Sequence, residues 1–166
     1  GLAYKMFELP IAVPTFFMNS VYPLLLSQQT HNFQKIIKKS GIVLLFSSFI
    51  LLLIFWFAAP LLTSIRPEFA GSVPLLRVLT IGLPFFFLSS LVMWALIALG
   101  KQLVLAGIYG SLMVITIVLD ILIIPKFGSM GAAWITVGSE ALVLVLSGLT
   151  LFKYIRNNHL SEITHS

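Results

Sequence analysis

Two carboxylates, Asp120 and Glu140, stand in the stretch IVLDILIIPKFGSMGAAWITVGSEALVL (117–144), which is otherwise almost wholly apolar. An acid in such company is costly to bury. It is kept where it faces a bundle interior, a cavity or a proton path. The chemistry expected of these two is uptake and release of a proton, or a hydrogen bond made and broken. His159, Glu162 and His165 in the tail resemble metal ligands by type alone, and a solvated tail accounts for them. No phosphate-binding glycine loop, dinucleotide fingerprint or zinc-protease signature occurs. The chain has no cysteine, so thiolate metal sites and disulfides are excluded. No paired carboxylates adjoin a polar loop, and neither catalytic residues nor a cofactor site is expected.

The elements that position these acids follow from the spacing of charge. Of the 166 residues, 59% are hydrophobic and 9% charged, against about 25% charged in a soluble domain. No Asp, Glu, Lys or Arg occurs from Leu9 to Thr30, from Ser40 to Ile65 or from Val78 to Gly100. Each run exceeds the ~20 residues that a helix needs to span hydrocarbon. Two further runs are interrupted only by Asp120 and Glu140. The alternation of a β-barrel is missing, so the fold class expected is an all-α integral membrane protein of five transmembrane helices. They are placed at about 8–26, 41–63, 76–99, 102–124 and 131–152 within a membrane domain 1–152. A basic loop, 27–40, and a tail, 153–166, complete the organisation. The first residue is Gly1 and no signal pattern precedes the first run, which suggests a piece of a longer protein.

Five spans put the termini on opposite sides. Lys35, Lys38, Lys39, Lys101, Lys153 and Arg156 fall on one side, and Lys5, Arg66, Arg77 and Lys126 on the other, with Glu8 and Glu68. The positive-inside rule makes the richer side, with the C-terminus, cytoplasmic. The net charge of +5 thus reports topology and contact with membrane lipid rather than nucleic acid. In the basic loop, Phe33, Ile36 and Ile37 at helical spacing beside three lysines read as a short amphipathic helix on the inner leaflet. Trp134 and Tyr154 bracket the fifth helix as interface anchors.

Pro10, Pro14 and Pro23 in the first helix and Pro84 in the third are expected to kink them. Gly107, Gly110 and Ser111 in the fourth helix, and Ala132, Ala133 and Ser139 in the fifth, offer small faces for helix–helix approach. The link from Lys126 to Met130 is short enough to force an antiparallel pair. Asp120 would then lie ~7 Å below the outer surface and Glu140 ~14 Å below it, near the midplane. Glu140 carries the stronger expectation of a transport role.

The same stretch carries a family resemblance. DILIIPKFGSMGAAWIT is similar to the N-x-x-L-I-P-x-x-G-x-x-G-A-A-x-A-T signature of polysaccharide flippases of the Wzx type, in the MATE/MOP exporter superfamily. Ile124, Pro125, Gly128, Gly131, Ala132 and Ala133 match, and Asp120 stands where that pattern commonly has Asn. RPEFAGSVPLLRVLTIGLP (66–84) and YKMFELPIAVPTFFMNSVYPLLL (4–26) resemble two further segments of that family. The resemblance implies most of the C-terminal lobe of a two-lobed transporter, a bacterial inner-membrane location, alternating access, a lipid-linked glycan as substrate and a missing N-terminal lobe as partner. A cation-coupled drug exporter of the MATE type and a structural membrane protein without transport are the alternatives.

Overall fold

A computed structural model of the chain describes residues 2–27, 30–61 and 71–164. Among these, every regular element is a helix: α1 (Leu2–Leu26), α2 (Thr30–Ala58), α3 (Ser72–Ile81), α4 (Leu83–Ala98) and α5 (Gln102–Thr164). Arg66 and Glu68 lie outside the described residues, so the second family-like segment is described from Gly71 onward. His165 also lies outside them, as do the side chains of His159 and Glu162.

α1 is a continuous helix through Pro10, Pro14 and Pro23, and none of the three breaks it. Pro84 behaves differently. Its ring crowds the carbonyl four residues back, and it offers no N–H. Between α3 and α4 the axis turns by 42° at Gly82, so the expected third span is a bent pair of helices. Gly82 also admits a close neighbour. A Cβ there would lie 3.2 Å from a methyl of Val137 on α5.

α2 begins at Thr30 rather than near residue 41. Phe33 is buried while Lys35, Lys38 and Lys39 are exposed, so the amphipathic turns expected as a separate surface helix continue directly into the apolar one. A run of Lys, Gln and Ile has no helix breaker in it, and nothing stops the helix from propagating. At the other end of the chain, the expected tail remains helical to Thr164.

α4 ends in a Schellman motif. Gly100, at φ 70°, donates its N–H to Ile97 O, and Lys101 donates to Leu96 O, both at 2.9 Å. α5 then runs to Gly128, whose φ of 60° and ψ of −150° are not helical. The chain reverses there into two antiparallel arms, 102–127 and 129–164. Lys101 Nζ lies 4.5 Å from the ring centroid of Tyr154, which joins the arms at their open end. The expected antiparallel pair is thus present.

α4, whose LPFFFLSSLVMWALIA is apolar on every side, occupies the centre and packs against α1, α2 and α5. Leu83, Phe87, Ala95 and Leu96 are fully buried, with Met18, Leu44, Leu76 and Ala133 around them. Phe7 meets Phe86 edge-on at 5.4 Å, and Tyr22 meets Trp94 at 5.0 Å. Those contacts, rising together along α1 and α4, set the two helices parallel. Arg77 lies 5.3 Å over Trp56, at the end opposite Lys101.

Among the described residues, three helices, Tyr4–Leu26, Asn32–Ala58 and Gln102–Arg156, are long and apolar enough to cross a membrane, and α3 with α4 makes a fourth when the bent pair is taken as one span. Since α5 folds back at Gly128, it contributes two arms of that kind. The outer faces are apolar as well. Leu103, Phe57 and Phe16 are more than two-thirds exposed, a surface that water does not favour over so large an area.

Gly107 and Gly110 depart from expectation. Both are exposed, and a Cβ on either would meet nothing within 4 Å. The first arm buries Leu105 and Leu112 instead. Small residues permit close approach without dictating which face makes it, and here the large aliphatic side wins.

Candidate functional site

Glu140 lies twelve residues past the reversal at Gly128, on the face of the second arm turned toward α4. Its neighbours along the arm on that side, Val137 and Val143, are buried. The carboxylate therefore points into the bundle and not outward with Leu142 and Val145. It lines a cavity of about 230 Å³ to which α1 contributes Pro14 and Thr15, α4 contributes Ser89, Ser90 and Met93, and the first arm contributes Tyr109. Four helical segments thus converge on one acid.

Ser89 supplies the hydrogen bond. Its hydroxyl donates to Glu140 Oε1, and the same oxygen lies 3.2 Å from Phe86 O within its own helix. A hydroxyl has one hydrogen to give. With Glu140 ionised, that hydrogen goes to the carboxylate. With Glu140 protonated, the acid donates to Ser89 Oγ and the serine hydrogen passes to Phe86 O. Both protonation states are hydrogen-bonded, and taking up the proton on Glu140 requires only that the Ser89 O–H rotate from the carboxylate to Phe86 O. This pair can gain or lose a proton without leaving a buried polar atom unpartnered.

The size of the cavity limits what it holds. About 230 Å³ falls below the ~300–1,000 Å³ usual for small-molecule sites. It has room for several waters, each taking ~30 Å³ in the liquid. Thr15, Ser90 and Tyr109 provide hydroxyls along its wall for such waters. An oligosaccharide would not fit.

Asp120 is elsewhere. It is half-buried in a shallow hollow with Ile121, Ile124 and Pro125, about two turns before the reversal. It makes no hydrogen bond or ion pair with a described residue. The structure does not bring the two acids into one site.

The chain matches no family model, no curated protein and no solved structure. The flippase resemblance therefore rests on the residues quoted above. Ser89 and Tyr109 carried no sequence signal for the site. Many hydroxyls in these helices bond a carbonyl three or four residues back, as Ser47, Ser48, Thr136 and Ser147 do, and Ser89 shares that local pattern while also reaching Glu140.

Proposed function

We propose that this chain is part of a membrane transporter, and that it works in the translocation of a lipid-linked oligosaccharide across the plasma membrane. The observation that carries this reading is the placement of Glu140. An ionisable group ~17 Å down an apolar arm, at ~1.5 Å per residue, costs about 2.5–3.5 kcal/mol to insert. Here it faces a hydroxyl-lined cavity where α1, α4 and both arms of α5 meet. A protein that served only as scaffold would have no use for that expense. An acid with two hydrogen-bonded protonation states suits a proton-linked step between conformations. The glycan substrate and the flippase assignment come from the motif resemblance, and the bundle of apolar helices is compatible with them. A substrate of that size would travel between this bundle and a second lobe, since the cavity at Glu140 is too small for it.

Glu140→Gln keeps the shape and removes the exchangeable proton. In the full coding context, this variant is expected to stop surface-glycan export while leaving the amount of protein in isolated membranes unchanged. Asp120→Asn is expected to export normally, because Asn is the residue of the family pattern. Full export by Glu140→Gln would overturn the coupling role, and loss of the protein from membranes would assign Glu140 to folding.

A further inference from the structure

The two arms of α5 touch at both ends and part in between. At the tip, a Cβ on Gly131 would come within 2.9 Å of Ile123 and Phe127, and at the far end Lys101 caps Tyr154. Between these points lies a groove of about 570 Å³, running from Leu112 and Leu142 up to Phe127 and Met130. Its walls are aliphatic and aromatic, with Thr116 and Ser139 as the hydroxyls, and no charged group lines it. Gly138 in its wall faces open space, with nothing within 4 Å of an added Cβ.

We propose that this groove seats one acyl chain of a membrane phospholipid, with the lipid phosphate against Lys126. The inference rests on the membrane reading above, and dimensions support it. Leu112 to Phe127 spans ~22 Å at ~1.5 Å per residue, about three-quarters of a ~30 Å hydrocarbon core. The groove therefore covers the depth of one leaflet and reaches past the midplane. Spreading about 570 Å³ along ~22 Å leaves a channel on the order of 6 Å wide, whereas a helix with its side chains needs ~10 Å. A channel of that width suits a hydrocarbon chain better than a helix from a second copy. An apolar cavity of this kind stays dry and takes apolar guests.

Charge places the headgroup. Lys126 is exposed, adjoins Phe127 at the top of the groove, and makes no ion pair with a described residue. An ammonium at the depth of the interface attracts a phosphate, and the chain below that phosphate would enter at Met130 and Trp134.

The test is photolabelling in nanodiscs of phosphatidylcholine and phosphatidylglycerol, with a diazirine at mid-chain of the phosphatidylglycerol. Label is expected to concentrate on Ile115, Leu119 and Ile135 relative to Leu103, which is exposed on the outer face. Gly138→Phe fills the groove and is expected to reduce that label severalfold while leaving the label at Leu103 unchanged. Lys126→Gln is expected to weaken it through the headgroup. Groove label no denser than at Leu103, or label undiminished in both variants, would overturn the proposal. So would a disulfide between two copies through Ser139→Cys, because a second chain would then occupy the groove. Protein that alkaline carbonate strips from native membranes would overturn the membrane reading together with this one. Protein that stays inserted without groove label would overturn this one alone.

Discussion

Replacing Gly128 by alanine should weaken the reversal of α5 through the backbone alone. At φ 60° and ψ −150° an L-residue sits in a region reached almost only by glycine, at a cost of ~1–3 kcal/mol. Beyond its own and adjacent residues a Cβ there meets no atom within 4 Å, so no clash with another part of the fold adds to that local cost. The mirror image of this conformation lies near φ −60° and ψ +150°, close to polyproline II. A D-alanine at 128, introduced by semisynthesis, would therefore rest in a favourable well and restore the turn. Gly138→Ala is the internal control, since a helical glycine in open space gains up to ~1 kcal/mol on substitution. The two L-alanine variants should differ by ~1–4 kcal/mol in opposite directions from the parent. Unfolding in mild detergent measures the stabilities. Spin labels at Leu103→Cys and Phe152→Cys, both exposed, report whether the arms stay together. If Gly128→Ala unfolded with Gly138→Ala, or if D-alanine were as harmful as L-alanine, the turn would not depend on a positive φ.

Gly131→Ala forces a Cβ to 2.8 Å from Ile123 and 2.9 Å from the Cβ of Phe127, and should destabilise by ~1–3 kcal/mol in the same unfolding assay. For topology, a cysteine at Ser129, which is exposed at the tip of the hairpin, should react with an impermeant maleimide from the side opposite Lys153→Cys. Labelling of both from one side would contradict a membrane-crossing hairpin.

Much of this architecture is legible in the sequence because apolar length and charge spacing act over many residues. The charge-free runs anticipate α1, the apolar part of α2 and the bent α3–α4 pair. Gly128 marks the reversal, since few other residues tolerate its backbone angles, whereas Pro125 stays inside the helix. The inward turn of Glu140 follows from the cost of leaving an acid in an apolar surround. Other features depend on choices between near-equal alternatives. The Lys-rich turns before Ser40 could end a helix or begin one, and helix propagation decides. Pro84 promises a break in the helix without saying that Pro10, Pro14 and Pro23 leave α1 continuous. The glycines of the first arm allow contact on a face that Leu105 and Leu112 then leave outside. Ser89 becomes the partner of Glu140 through the packing of α4 on α5, a contact between residues far apart in sequence that no local pattern records.

The hairpin, fastened at Gly131 and again at Lys101, is mechanically a loop and not a pair of tongs. Tongs open by swinging about one hinge, which would tear the cation from the Tyr154 ring. A loop held at both ends widens by bowing its middle, where exposed Ile115, Leu119 and Leu142 meet little resistance. Traffic between its interior and the surroundings must accordingly pass sideways through the waist, and force applied at either end stiffens the arms instead of parting them.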